Sequence, residues 1–436
     1  MHRREFMRVA AGAAPAAAFH LRFTRDAVSA VQSAIQERPD LSPEQAASDE
    51  DLWREVQNAF SIDRSILNLD NGNVCPSPRD VTEAMIRGIW REEASPAHAI
   101  YDVELPETIK VGQALAAQFG CALGEIAVVR NATEALNSVL FGLVLERGDE
   151  VLTTKHDYWA MQEALDQRAM RDGVRVTRVS VPVPPESMDD LVTIFERALT
   201  PRTKLILVSH PVNLTGQFFP VKRICDMAHA HGVEVCVDGA QGFAHVDFKR
   251  DDLGCDYFGT SLHKWLLAPI GTGLLYIRSE KIANVWPLFG APPEMKTRMA
   301  KFMRWGTFSP APVLAISDAL AFQNAIGGKR KEERLRYLTR YWATRLQKLS
   351  NVRFLTSFRS PEMSCGIATM QLQGIDSNAL QRHLHERRSI LVQSVASRWA
   401  PEIHGIRVTP NLYTRLDELD RFCEVIDEIA AKGLPS

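Results

Sequence analysis

In "TKLILVSHPVNLTGQFFPVKRICDMAHAHGVEVCVDGAQ", Thr203 to Gln241, two short runs that are apolar almost throughout flank a segment with helical spacing. A strand with one wet face alternates apolar and polar residues, whereas a strand covered on both faces does not. The stretch therefore reads as strand, helix, strand, with both strands parallel and buried. Each strand also runs on into polar residues, Asn213 after the first and Asp238 and Gln241 after the second. In an open parallel sheet, ligands bind just beyond the carboxyl ends of the strands.

The same alternation extends outward. Upstream, "EIAVVRNATEALNSVLFGLVL" runs strand, turn, helix. It is followed by "DEVLTTKHDY" as strand, "WAMQEALDQRAMRDG" as helix, "VRVTRVSVP" as strand and "MDDLVTIFERAL" as helix. Earlier, "ILNLDNGNVCPSPRDV", Ile66 to Val81, reads as a loop leading into a helix, and places Asn71 on irregular backbone where it can meet a substrate. Downstream, "RKEERLRYLTRYWATRLQKLS", Arg330 to Ser350, reads as a long charged amphipathic helix that opens a smaller α+β unit. The expected layout is a leader over 1–45, an arm over 46–75 that packs on the small domain, a large domain over 76–328 and a small domain over 329–436.

The 436 residues carry a formal net charge of -2, and no basic run is interleaved with aromatics, so nucleic acid is not an expected partner. Seven scattered cysteines without a CxxC pair suggest neither a metal site nor a disulfide framework. At the N-terminus, Arg3 and Arg4 precede Phe6, Met7, Arg8 and an Ala-rich stretch, a pattern that resembles a twin-arginine export signal. It predicts a periplasmic location, with a cytoplasmic one as the alternative. No segment is long and apolar enough to suggest stable membrane insertion.

The residues that follow the strands form a chemically coherent set. Asn131, Ala132 and Thr133 open a helix, where free N–H groups and a hydroxyl attract an anion. His156 and Tyr158 offer flat rings. Asp238 ends so apolar a strand that its carboxylate needs a cationic partner. In "SLHKWLLAPIGTGLLYIR", Ser261 and His263 flank Lys264, whose ammonium is costly on a half-buried segment. A lysine made partly neutral by burial is a nucleophile toward aldehydes. An anion holder, a ring stacker, a carboxylate for a pyridinium and an amine for an aldehyde together describe pyridoxal 5'-phosphate.

The order "NATEAL", "KHDY", "VNLTG", "DGAQ", "SLHKW" and "GTG" resembles the class V aminotransferase superfamily, in its isopenicillin N epimerase-like branch. The resemblance implies a fold-type I pyridoxal-phosphate enzyme, with a mostly parallel seven-stranded sheet flanked by helices and a smaller α+β C-terminal domain. It implies that Lys264 carries the cofactor as a Schiff base and then handles the α-proton. Asp238 is expected to hold the pyridine nitrogen, and Gln241 and Asn213 the phenolic oxygen. His156 is expected to stack on the ring, with Tyr158 as the substitute. "RWGTFS" is similar to a loop from which Thr307 would reach the phosphate in the other subunit of a homodimer, and in "IRVTPNLY" Arg407 would clamp the substrate's α-carboxylate.

The family supports several outcomes at the α-carbon. Transamination of an amino acid, or of a small molecule that contains one, is the first expectation; epimerisation and C–S β-elimination are the alternatives. Desulfuration needs a thiolate shortly before the carboxylate-binding arginine, and "ILVQSVASRWAPEIHGIRV" has none. The non-enzymatic alternative is a degenerate member of the fold that only binds a ligand. The joint presence of Lys264, Asp238 and Arg407 speaks against it.

Overall fold

A computed structural model describes residues 27–435. Its strands, in chain order, are β1 (Leu67–Asn68), β2 (Ile126–Val129), β3 (Glu150–Thr154), β4 (Arg175–Val179), β5 (Thr203–Ser209), β6 (Glu234–Asp238), β7 (Tyr257–Ser261), β8 (Gly273–Ile277), β9 (Val352–Phe354), β10 (Ala368–Leu372), β11 (Ile390–Leu391), β12 (Gln393–Ala396) and β13 (His404–Val408). Seven of them form one sheet in the order β2-β8-β7-β6-β5-β3-β4. All neighbours in it run parallel except β8, which is antiparallel to both β2 and β7. This is the mostly parallel seven-stranded sheet expected from the sequence.

The two-residue period of a strand explains why the central runs carry apolar residues at nearly every position. Leu205, Leu207 and Cys236 point to one side, where they meet Leu136, Val139 and Leu140 of helix Ala132–Gly142 and Met161 and Leu165 of helix Trp159–Asp172. Ile206, Val208, Val235 and Val237 point to the other, onto Leu191 and Phe195 of helix Met188–Ala198 and Ile224 and Ala228 of helix Val221–Ala230. Burying each of these side chains contributes on the order of 2 kcal/mol, and neither face has water to spare it.

The C-terminal unit is a four-stranded antiparallel sheet, β12-β13-β10-β9. Leu338, Trp342 and Leu346 of helix Gly328–Leu346 share its core with Leu419, Phe422 and Ile426 of helix Leu416–Lys432. The arm joins this unit, for β1 pairs in parallel with β11 and Leu67 and Leu69 enter the same core.

One feature departs from the sequence reading. Residues 27–36 form a helix whose Val31 is fully buried with Trp53, Phe60 and Phe322, so the folded body starts well before residue 46. The paired arginines lie outside the described residues, and none of the described helices is long and apolar enough to cross a membrane. Helix Gly328–Leu346 is the predicted charged amphipathic helix, and several of its cations are buried. Arg334 is wholly buried and reaches Ala47 O at 2.9 Å and Glu50 on the arm, and Arg336 is held by Glu332 at 2.6 Å. Lys331, also fully buried, donates to Gln323 Oε1 at 2.9 Å and to the carbonyl of Trp265.

Candidate active site

The carboxyl ends of β5, β6 and β7, the start of helix Ala132–Gly142 and residues of the arm and of β13 enclose a cavity of about 190 Å³. Of the residues singled out from sequence, Ala132, Thr133, Tyr158, Asn213, Asp238, Gln241, Ser261, His263, Lys264 and Arg407 all line it.

One wall suits an anion. Asn131 caps the helix by accepting from Glu134 N at 2.9 Å, and the Ser261 hydroxyl accepts from Ala132 N at 2.9 Å. Thr133 and His263 complete that wall, and the His263 ring donates through Nδ1 to Thr272 O at 3.2 Å. The close seating depends on Gly273, because a Cβ there would lie 2.7 Å from Asn131 Cα and N. The helix dipole and free N–H groups favour negative charge at this end.

Deeper in, Asp238 is 6% exposed and accepts one hydrogen bond, from Ala240 N at 3.0 Å. Burial pushes its carboxyl up to about 6, and no cation sits at ion-pair distance among the described residues. A buried carboxylate without a cation is costly, and a ring N–H⁺ would satisfy it. Asn213 points the same way, for its Oδ1 is buried on the cavity wall with no hydrogen-bond partner. Gln241 is more committed than expected. Its Nε2 donates to Gly72 O at 2.7 Å and its Oε1 accepts from Trp265 Nε1 at 2.8 Å, which leaves one amide hydrogen for a ligand.

Lys264 follows β7 in a tight turn, Leu267 N bonding back to Lys264 O at 3.1 Å. Burial lowers its ammonium to about 8, with Asp238 opposing and Arg407 assisting that fall. The turn is clamped from behind. Trp265 stacks on His245 with centroids 3.8 Å apart and planes at 15°. The His245 ring is bonded at both nitrogens, Nδ1 to Gln241 O at 2.7 Å and Nε2 from Gly366 N at 2.8 Å. These contacts answer why an ammonium sits beside Trp-Leu-Leu. The apolar neighbours anchor the backbone and keep the amine short of water.

Arg407, on β13, is 2% exposed and reaches into the cavity from the small domain. Its Nη2 donates to Asp70 Oδ1 at 3.0 Å and Asn73 Oδ1 at 3.2 Å, and its Nη1 to Asn213 O at 3.1 Å. Nε is buried without a partner, so donor capacity is left for a carboxylate. Gly72 lies against the guanidinium, since a Cβ there would meet Cζ at 3.0 Å.

Two expectations are corrected. His156 is not on the cavity wall. It is 2% exposed, with its Nε2 3.8 Å from Glu402 Oε1, and Tyr158, two residues on, presents its side chain instead. The cause is the turn after β3, which the buried Asp157 pins by accepting from Thr153 and Thr154 hydroxyls at 2.6 and 2.8 Å and from Ser209 at 2.6 Å. Asn71 does not face the site either. Its amide donates to Thr409 O at 2.8 Å and accepts from Tyr413 Oη at 2.6 Å, and Asn73 takes the position on the wall. Thr307, whose expected role is in the other subunit, lies on the surface, bonded to Tyr101 Oη at 3.1 Å and outside this chain's own cavity. Asn73, Ser209, Pro211 and Met161 line the site without having been anticipated. Only Asn73 carried a signal, its place in the same Asn-Gly loop as Asn71.

The donor set fits pyridoxal 5'-phosphate at each of its polar ends. The aminotransferase class-V family model matches residues 68–422. Isopenicillin N epimerase of Streptomyces clavuligerus is 29% identical over 398 residues, which is 87% of this chain and 99% of that protein. A probable cysteine desulfurase of Methanothermobacter thermautotrophicus is 25% identical over 407 residues, 87% of this chain and 98% of its own. Among solved structures, the cysteine desulfurase CsdA of Escherichia coli superposes with a TM-score of 0.76 at 21% identity, over 88% of this chain and 99% of its own.

Proposed function

From the chain's membership of the aminotransferase class-V family, whose cofactor is pyridoxal 5'-phosphate, we propose that it moves the α-proton of an amino acid, and that the outcome is transamination. The observation that carries this reading is Lys264. Its amine lies on the cavity wall, bonded to none of the described residues and lowered by burial to about 8, so near neutral pH it can both give and take a proton. When bound, the cofactor supplies an electron sink for negative charge at the α-carbon. The residues of the chain do the rest. The wall of Thr133, Ser261 and His263 receives the phosphate, Asp238 holds the ring nitrogen protonated, and Arg407 orients the substrate by its carboxylate.

Epimerisation is the second reading, and Tyr158 favours it. Tyr158 lines the cavity and burial raises its pKa, so its hydroxyl stays protonated and able to donate. The likeness to the epimerase of Streptomyces clavuligerus supports the same reading. β-Elimination uses the same residues and is the third. Desulfuration lacks its nucleophile, because Cys365 is buried with Sγ 3.6 Å from Glu332 O and its thiol is pushed up to about 12. One assay separates the outcomes. The protein, loaded with pyridoxal phosphate, is incubated with single L-amino acids and an α-keto acid. Transamination yields a new keto acid from the donor and a new amino acid from the acceptor. Loss of optical rotation without keto acid would replace this reading by epimerisation, and release of pyruvate and ammonia by elimination.

Two further parts of the reading concern assembly and place. Ile86, Ile89, Trp90, Tyr101, Val103 and Ile109 expose large apolar side chains around helices Arg79–Ala94 and Leu105–Phe119, and Tyr101 bonds to Thr307. An exposed apolar face of this size supports a homodimer in which a second copy covers it and Thr307 is offered across. The Arg3–Arg4 leader supports export to the periplasm. Sedimentation at twice the 48.8 kDa chain mass, and export of a reporter fused to residues 1–30, are the expected results; a monomer or a retained reporter would remove either.

A further inference from the structure

A second hollow, of about 280 Å³, opens beside the reactive cavity and shares Asn213 with it. Asn213 is also the residue whose carbonyl accepts from Arg407, so a substrate held by its carboxylate on Arg407 lies next to this opening. One side is the start of helix Trp159–Asp172, where Trp159 is 55% exposed; the other is the loop after β12, with Ser397, Arg398 and Trp399. That loop is anchored by Ala400 and Ile403, both fully buried, and Ser397 Oγ accepts from Trp399 N at 3.2 Å. Its indole is therefore presented by a fixed backbone.

The charge of the hollow is balanced. Arg398 stacks over Trp399, Cζ 4.0 Å from the ring centroid, and its Nη2 lies 3.4 Å from Glu163 and 3.8 Å from Asp166. With the Glu163 carboxylate against it, and Asp166 beyond already bonded to Arg178 at 2.6 Å, this guanidinium offers little net attraction to an anionic group. What the walls do offer is two indole surfaces, and flat rings prefer such partners. An indole half in water beside a reactive cavity also gains by being covered.

We propose that this hollow is a distal substrate subsite that takes a planar, uncharged aromatic group, so that the preferred substrate is an amino acid or aminoacyl compound with an aromatic end. The inference rests on the cavity being an amino-acid site. The test uses the full chain loaded with pyridoxal phosphate. It is titrated with L-alanine, L-glutamate and L-tryptophan, and binding is read from cofactor absorbance and, independently, from calorimetric heat.

Wild-type protein is expected to bind L-tryptophan about tenfold more tightly than L-alanine, the scale of one good aromatic contact. Trp159→Ala and Trp399→Ala are each expected to bring that ratio down towards one. Equal affinity for tryptophan and alanine in the wild type, or a ratio unchanged in Trp159→Ala, overturns the proposal. Trp159 is exposed at a helix start, so that variant carries the test even if Trp399→Ala does not fold. A preference for L-glutamate that vanishes in Arg398→Ala also overturns it, in favour of an anionic end. If no amino acid perturbs the wild-type absorbance or gives heat, the amino-acid reading of the main cavity falls as well; binding without aromatic preference sinks the subsite alone.

Discussion

Lys264→Ala is expected to abolish covalent retention of pyridoxal phosphate and to lower turnover by about 10³-fold or more, the upper range for removal of a positioned acid–base group. The wild-type protein should show a cofactor absorption band that borohydride fixes to Lys264, as read by peptide mass; the variant should show neither. The pH dependence follows from burial. Because the ammonium is lowered to about 8, the neutral amine becomes the major form above that pH, and the rate of cofactor capture should rise through pH 8 and then level off. A rate still climbing towards pH 10 would mean that the amine is as solvated as any surface lysine. The control is Lys331. It too is lowered by burial, to about 7, but it bonds to Gln323 and Trp265 and does not line the cavity, so borohydride should not mark it.

Asp238→Asn should separate stability from function. In the folded protein the carboxyl titrates at about 6 instead of 3.8, so without a cationic partner its contribution is present below pH 3.8 and lost as pH rises through 6. The gap corresponds to on the order of 3 kcal/mol at neutral pH, as an upper bound for a site that can relax. Asparagine carries no such charge. The cofactor-free variant should therefore unfold at higher denaturant than cofactor-free wild type at pH 7, and the advantage should shrink on titration from pH 6 to pH 4. With pyridoxal phosphate the order should reverse, because only the carboxylate rewards a protonated ring nitrogen. Turnover should fall by about 10²- to 10³-fold, as when one group stabilising developing charge is removed. If cofactor-free Asp238→Asn is less stable than wild type across that range, the carboxylate is serving the apo fold and the assignment to the ring nitrogen fails.

The two predictions draw on the residues that were easiest to find in the sequence. Asp238 ends a strand whose apolar run is unambiguous, which is enough to place it at the ligand end of the sheet, and Lys264 stands out by the cost of its ammonium on an apolar segment. His156 shows where that reasoning stops. It and Tyr158 both follow β3, and strand periodicity ends at Thr154, so nothing local says which ring turns inward. The answer came from Asp157, whose four hydrogen bonds to Thr153, Thr154 and Ser209 bind the turn to the neighbouring strand β5. Asn71 and Asn73 repeat the lesson. Both lie in one Asn-Gly loop, but Thr409 and Tyr413, more than 300 residues away in sequence, capture the first and leave the second to Arg407.

The charged helix after Gly327 was legible as a helix, but the partners of its cations were not. Composition reports how many cations a helix bears but not which of them have a buried carbonyl or carboxylate to meet, and Lys331, Arg334 and Arg336 each meet one supplied by a distant segment. By itself, then, the sequence determined the alternation that makes the sheet, the carboxylate and the amine at its ligand end, and with them the class of cofactor, because all of these depend on local periodicity and residue chemistry. Only the tertiary structure decided which ring and which asparagine face the cavity, what clamps the lysine turn, and that a second hollow lies beside Asn213. Those depend on hydrogen bonds and packing between segments far apart in the chain, where no local pattern carries the information.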